Sequence, residues 1–166
     1  VGNGVVNTEG YSFPLAPQRK IGYGTLPCNK ITCHHDETPA FDLSYGDVVG
    51  KSVYAITNGT IDRVNTQDPG WCQSIQLRGG DGFFYWYGHV IDVSVSDGQT
   101  VTAGQEIAKV AQYTTEHTCN GTSSGAHLHI DRGCSIDGVP QRGGNDACRD
   151  SDFVPFFQKL YEGLPS

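Results

Sequence analysis

Histidine is the residue type whose placement most directly suggests chemistry in this sequence. The chain has a His-x-His pair and an adjacent pair, the six histidines being His34, His35, His89, His117, His127 and His129. If the His-x-His run forms a strand, alternation places His127, His129 and Asp131 on one face. Leu128 and Ile130 then point to the opposite face, towards a core. Two imidazoles and a carboxylate on one face suit metal binding or proton transfer, and the alternative is an exposed polar face without chemistry.

A carboxylate in an apolar setting is the second candidate. Asp42 lies between Phe41 and Leu43, where a carboxylate needs a partner that offsets its desolvation. A metal ion would be such a partner, with His34 or His35 as a neighbouring ligand. The alternative is that backbone N–H groups of a turn satisfy Asp42 and that both histidines are surface residues.

The other two histidines carry weaker signals. His89 ends the aromatic run FFYWYGHV, where a lone histidine is more often a structural residue at a strand end. His117 lies in a polar loop, and no chemical role is predicted for it. Together the segments supply two histidines and one aspartate for a metal, with further histidines for proton transfer. Three protein ligands and an open position for water are the pattern of a catalytic Zn²⁺ site.

Short β-like runs separated by turn residues must position these side chains. The predicted strands are Ala40–Leu43, Ser52–Ile56, Thr60–Asn65, Ser74–Leu77, Phe83–His89, Val90–Val95, Gln105–Tyr113 and Ala126–Asp131. Residues 132–150 are predicted to be a loop, and Ser151–Tyr161 a helix with Pro155 in or near its first turn. The predicted fold class is all-β, with a mainly antiparallel twisted sheet that forms a groove and a short C-terminal helix.

Composition and charge exclude several classes of function. The chain has 166 residues with 22 Gly and 17% charged residues, which favours a loop-rich β protein over a helical bundle. The 11 Lys and Arg are scattered against 18 acidic residues, so the positive footprint of a nucleic-acid binder is absent. No apolar run reaches the roughly 18 residues of a membrane helix, and no membrane span is predicted.

The six cysteines contain no C-x-x-C pair, so the spacing of a thiolate zinc finger is absent. An even number of cysteines favours an exported protein in an oxidising compartment. The start at Val1 and the lack of Met indicate a processed product. Pairing of near neighbours would join Cys28 to Cys33 and Cys134 to Cys148 and leave Cys72 with Cys119. This is one of 15 possible connectivities, and the residues alone do not select among them.

Five short motifs follow one another along the central part of the chain. They are His34 or His35 with Asp42, the turn Asn58-Gly59-Thr60-Ile61, Tyr87-Gly88-His89, GQTVTAGQEI from Gly98 to Ile107, and SSGAHLHI from Ser123 to Ile130. Their types and order resemble the lysostaphin-type (LytM, M23) zinc metallopeptidases, which cut peptides of bacterial peptidoglycan. The resemblance covers about residues 34–131, and its most specific part is the family signature S-[ST]-G-x-H-L-H.

The resemblance implies roles for individual residues. Asp42 and His129 are expected to bind zinc, together with His34 or, alternatively, His35. His89 and His127 are expected to be unligated but catalytic, one of them taking the proton of the attacking water.

The sequence departs from the family at two positions near the expected site. Seven residues separate His34 from Asp42, or six from His35, where lysostaphin-like members usually have three. This longer insert resembles the staphylolysin-like branch, as does the placement of Cys72 and Cys119, which supports that disulfide. Asp131 stands where the family commonly has Glu and could orient a neighbouring imidazole.

The resemblance implies a zinc-dependent endopeptidase that hydrolyses cross-bridge or stem peptides of peptidoglycan with metal-activated water. We expect one domain over residues 1–166, with an irregular segment (1–33), a catalytic core (34–131) and a C-terminal loop and helix (132–166). We also expect a monomer that is secreted or resides in the cell envelope. The alternatives are a non-catalytic relative that binds cell wall or activates a hydrolase, and a disulfide-stapled β-sandwich that binds glycan.

Overall fold

A computed structural model describes residues 3–20, 24–25, 39–68, 72–112, 125–143 and 146–166. His34, His35 and His117 lie outside these ranges. The described residues contain ten strands and one α-helix: β1 Gly24–Thr25, β2 Ala40–Ser44, β3 Ser52–Tyr54, β4 Gly59–Asp68, β5 Cys72–Gly79, β6 Phe84–Ile91, β7 Thr100–Val101, β8 Glu106–Val110, β9 Leu128–Ile136, β10 Val139–Gln141 and α1 Phe153–Glu162.

The strands form one antiparallel sheet. Its main order is β1-β2-β9-β6-β5-β4-β7, with β10 beside β9 and β8 joining β3 to β6. Strands β2 and β6 therefore flank β9, which carries the His-x-His motif. The predicted all-β fold with an antiparallel sheet and a short C-terminal helix is confirmed.

Alternation along the three central strands divides apolar from polar side chains. One face is fully buried and consists of Phe41, Leu43, Tyr85, Tyr87, Leu128 and Ile130. The helix α1 packs on this face because Phe153 and Phe157, four residues apart, lie on one side of it. The rings of Phe157 and Phe41 stack with centroids 4.5 Å apart. The opposite face of β2, β9 and β6 is consequently free to carry polar groups.

The predicted separate strand Val90–Val95 is wrong. Strand β6 instead continues through His89 to Ile91, although His89 has a φ of 61°. The left-handed residue lies in a bulge of β6, where the register against β5 shifts between Gln73, which faces Val90, and Ile75, which faces Tyr87. Propensity and alternation do not reveal such a bulge.

The predicted loop at residues 132–150 is also wrong in its first half. Strand β9 runs on to Ile136 and pairs with β10. The two are joined by Asp137-Gly138, both with positive φ (50° and 79°), which is the conformation of a type I′ hairpin turn. This Asp-Gly turn signal is present in the sequence. The segments on either side of it are short and rich in Gly and Cys, which hides their strand pattern.

Candidate active site

The pairing of β2 with β9 brings two predicted ligands side by side. Asp42 and His129 are cross-strand partners on the face opposite the core. The Oδ1 atom of Asp42 lies 3.0 Å from Nδ1 of His129. The same oxygen lies 3.6 Å from Nε2 of His127. Residues 87 positions apart in the sequence thus converge on one point.

His127 has one ring nitrogen directed at the site and the other held by the backbone. Its Nδ1 lies 2.8 Å from the carbonyl oxygen of Gly125. Because a carbonyl only accepts hydrogen bonds, Nδ1–H is the donor there. Nε2 is therefore the nitrogen that can gain or lose a proton. The side chain is only 6% exposed, so this orientation is fixed by the protein around it.

His89 lies against His127, with ring centroids 4.4 Å apart and planes at 60°. The preceding residue, Gly88, is the cross-strand partner of His129. The positive φ of His89 costs about 1–2 kcal/mol for a residue with a Cβ. Such conformations concentrate at functional sites, where the surrounding structure maintains them.

The second ring nitrogen of His129 is held by a buried carboxylate. Nε2 lies 2.8 Å from Oδ2 of Asp131, whose side chain is 1% exposed. Burial alone would lower the pKa of His129, but the hydrogen bonds and charges of Asp131 and Asp42 raise it overall. Burial likewise acts to raise the pKa of Asp131, and His129 and Arg142 hold it below its usual range.

Arg142 is a residue of this site that the sequence analysis missed. Its Nη2 and Nε lie 2.7 and 3.2 Å from Oδ2 of Asp131. The guanidinium also lies over the ring of Trp86, 4.6 Å from its centroid. The signal that would have found it is the Asp137-Gly138 turn, because the returning strand leads directly to Arg142.

The donor atoms are suited to a zinc ion, although the described residues do not complete a site. No group of three His, Cys, Asp or Glu side chains within these residues is arranged to hold a metal. A carboxylate oxygen of Asp42 and an imidazole nitrogen of His129 face each other, and both are typical zinc ligands. His129 is also held through its other nitrogen by a carboxylate, as metal-binding histidines commonly are. The third predicted ligand, His34 or His35, lies outside the described residues.

A disulfide joins strand β9 to the segment that follows β10, close to this site. Cys134 on β9 is bonded to Cys148, which confirms that predicted pair. Cys72 is also disulfide-bonded. The predicted Cys28–Cys33 pair and the predicted partner Cys119 lie outside the described residues.

Residues 41–137 match the family model of peptidase family M23. This match spans more than half of the chain, and the chain therefore belongs to peptidase family M23. The resemblance inferred from the motifs is thereby confirmed at the level of the family. Among curated proteins, none matches the sequence.

Solved structures of lysostaphin have the same fold. Lysostaphin from Staphylococcus simulans, an antimicrobial peptidase, is 24% identical with a TM-score of 0.59, over 96% of this chain and 57% of that one. An NMR structure of lysostaphin is 23% identical with a TM-score of 0.60, over 93% and 56%. The S. simulans catalytic domain alone is 24% identical with a TM-score of 0.52, over 82% and 89%.

The chain thus spans less than two thirds of the two longer lysostaphin structures, 56% and 57% of their lengths. In the described part of the chain, no helix has the length and apolarity needed to cross a bilayer.

Proposed function

We propose that this peptidase is a zinc-dependent endopeptidase that hydrolyses peptide bonds of bacterial peptidoglycan, in the cross-bridge or the stem peptide. The observation that carries the proposal is the convergence of His129 Nδ1 and His127 Nε2 on one carboxylate oxygen of Asp42. Membership of family M23 and the lysostaphin fold support the choice of reaction.

Asp42, His129 and either His34 or His35 would hold the zinc ion. When bound in such a site, zinc lowers the pKa of water towards about 7 and polarises a carbonyl group. The negative charge of Asp42 and the neutral imidazole of His129 suit a dication, and the short antiparallel pairing of β2 with β9 fixes both side chains.

His127 is the proposed general base. Its Nδ1–H is committed to the Gly125 carbonyl, which leaves Nε2 to accept the proton of the attacking water. His89, packed edge-on against it, is positioned to stabilise the oxyanion or to share the proton transfer to the leaving amine. Both residues are buried, so water competes little for these contacts.

The polar face of the sheet beside the site is the proposed substrate groove. Trp86 is the cross-strand partner of Asp131, and Gln76 is the partner of Trp86 on the next strand. These side chains share the face of Asp42 and His129. Tyr85 and Tyr87 point the other way and are fully buried in the core, whereas Trp86 lies on the face that would contact a peptide.

The proposed location is the cell envelope or the exterior, because disulfides persist in oxidising compartments. The bonds at Cys72 and Cys134 support this location. Peptidoglycan lies in the same compartment.

A digest of purified peptidoglycan tests the proposed reaction. Zinc-loaded protein should release new amino termini, and no new reducing sugar ends, in a reaction that a zinc chelator stops. Mass spectrometry of the fragments then identifies the bond. Absence of new amines from several wall types would contradict the proposal and favour a domain that binds wall or activates a hydrolase.

A further inference from the structure

Arg142 stands next to the proposed zinc ligands without being able to bind a metal itself. Arg142 directly follows the β9–β10 hairpin, in which Gln141 pairs with Cys134. Close approach depends on two glycines: a Cβ on Gly133 would collide with the Gln141 carbonyl, and one on Gly143 with the Arg132 carbonyl. These two glycines thus allow the backbone around Arg142 to lie close against β9.

The guanidinium makes its closest contacts with the carboxylate behind His129. Two of its nitrogens donate to Oδ2 of Asp131, at 2.7 and 3.2 Å. The backbone N–H of Gly143 donates to the other oxygen, Oδ1, at 3.2 Å. Donors on both oxygens leave the carboxylate little freedom to rotate. Asp131 is fully buried, and a buried carboxylate requires partners of this kind.

The orientation of Asp131 in turn decides what His129 can do. Oδ2 lies 2.8 Å from Nε2 of His129, and an ionised carboxylate only accepts hydrogen bonds. Nε2 therefore carries the hydrogen. The Nη2 of Arg142 is 3.0 Å from the same nitrogen, and since arginine only donates, the shared acceptor for both groups is Oδ2. With Nε2–H committed to Asp131, Nδ1, which lies 3.0 Å from Asp42 Oδ1, is the nitrogen of His129 that remains to face a metal ion.

We infer that Arg142 is a positioning residue: it fixes Asp131, which fixes the His129 ring with Nδ1 directed at the zinc position. The ring of Trp86 supports the guanidinium from the other side through a cation–π contact at 4.6 Å. The inference rests on the proposed function in taking His129 as a zinc ligand. It adds a residue from the segment beyond the motifs that define the resemblance.

The test uses the full chain with Arg142→Ala, Arg142→Gln and Arg142→Lys. Arg78→Ala is the matched control, because Arg78 is 58% exposed and pairs with Asp62 outside the site. Two properties are measured: the zinc Kd by competition with a chromogenic chelator, and, by NMR of the metal-free protein, exchange of the His129 Nε2–H proton with water.

We expect Arg142→Ala and Arg142→Gln to weaken zinc binding by about 10–100-fold, the usual effect of losing a partner behind a ligand. Arg142→Lys should lose less, since it keeps the charge without the two-pronged geometry. The Nε2–H signal should be protected in the wild type and Arg78→Ala, and exchange rapidly in Arg142→Ala and Arg142→Gln.

A folded Arg142→Ala or Arg142→Gln protein that keeps a protected Nε2–H signal would overturn the inference, whatever its zinc affinity. A wild type that binds no zinc would refute the proposed function instead, and the metal-free NMR comparison would still decide the role of Arg142. Melting curves of the metal-free variants separate positioning from a general loss of folding.

Discussion

At the scale of single residues, the proposed site assigns metal binding and proton transfer to different side chains. Asp42 and His129 present an oxygen and a nitrogen to each other at 3.0 Å. His127 reaches the same oxygen from farther away, at 3.6 Å, and its other nitrogen is held by a carbonyl. The division of roles taken from the family resemblance stays a prediction.

Substitution of each residue should produce a different loss. Asp42→Asn should abolish stoichiometric zinc binding, because it removes the negative ligand. His127→Ala should keep one equivalent of zinc and lose about 10²–10⁴-fold in turnover, the range for a general base. Zinc content by atomic emission, measured beside amine release, checks both.

The control for the carboxylate is Asp62→Asn, which affects a group paired with Arg78 outside the site and should leave zinc content unchanged. If His127→Ala lost its zinc, or Asp42→Asn kept both zinc and turnover, the assignment of roles would be wrong.

At the scale of elements, the helix and the site lie on opposite faces of the same strands. Phe41 on β2 packs under α1, while its neighbour Asp42 faces the site. The helix therefore stabilises the strand that carries the proposed zinc ligand Asp42. Sequence periodicity predicted this helix to within two residues at its start and one at its end.

Truncation of the helix's central ring tests this support. Phe157→Ala should lower the free energy of unfolding by about 3–5 kcal/mol, because the ring is fully buried. Phe157→Leu should cost less. Glu162→Ala is the control, since this residue is 65% exposed and its loss should stay within about 0.5 kcal/mol. Urea unfolding measures all three, and equal stability of Phe157→Ala and wild type would contradict the packing of Phe157 against Phe41.

The pairing of β3 with β8 contains a carboxylate that should make stability depend on pH. The hydroxyl of Ser52 donates to Glu106, and Lys109 lies 3.1 Å from it. The Ser52 hydrogen bond is the main cause that lowers the pKa of Glu106, with Lys109 contributing and burial opposing. The carboxylate therefore stabilises the fold above the usual glutamate pKa, and this contribution is lost as the pH falls through the lowered value.

Glu106→Gln should consequently reduce stability by about 1 kcal/mol near neutral pH, and the difference from wild type should shrink below about pH 4. Asp47→Asn is the control, because Asp47 is 89% exposed in its pair with Lys51. Urea midpoints across a pH series provide the measurement. A difference that stayed constant or grew on acidification would be incompatible with a lowered pKa of Glu106.

At the scale of the whole molecule, local patterns predicted where Asp42 and His129 lie on the sheet better than they predicted the connections around these strands. The His-x-His alternation and the apolar neighbours of Asp42 placed both side chains on a strand face. The positive φ of His89 depends on long-range packing, which local patterns do not contain. The contact of Arg142 with Asp131 was predictable only through the Asp137-Gly138 turn, which returns the chain along β9. His34 and His35 lie outside the described residues, and the choice between them stays a prediction.

The Cys134–Cys148 bond closes a loop that contains Arg142, with a sequence separation of 14. Replacing both cysteines with alanine should cost about 3 kcal/mol of stability by the loop-entropy argument, and it should weaken zinc binding because Arg142 is held less firmly. Urea unfolding and zinc competition measure the two effects. Unchanged zinc affinity in a clearly destabilised variant would show that the disulfide stabilises the fold without helping to position Arg142.

The decisive experiment for the proposed reaction is to return zinc stepwise to metal-free protein and follow amine release from peptidoglycan. We predict no release without metal, a rise that saturates at one zinc per chain, and no comparable rise for zinc-loaded His127→Ala. Release that persists in the metal-free protein, or that zinc does not restore, would contradict a zinc-dependent peptidase centred on Asp42, His127 and His129.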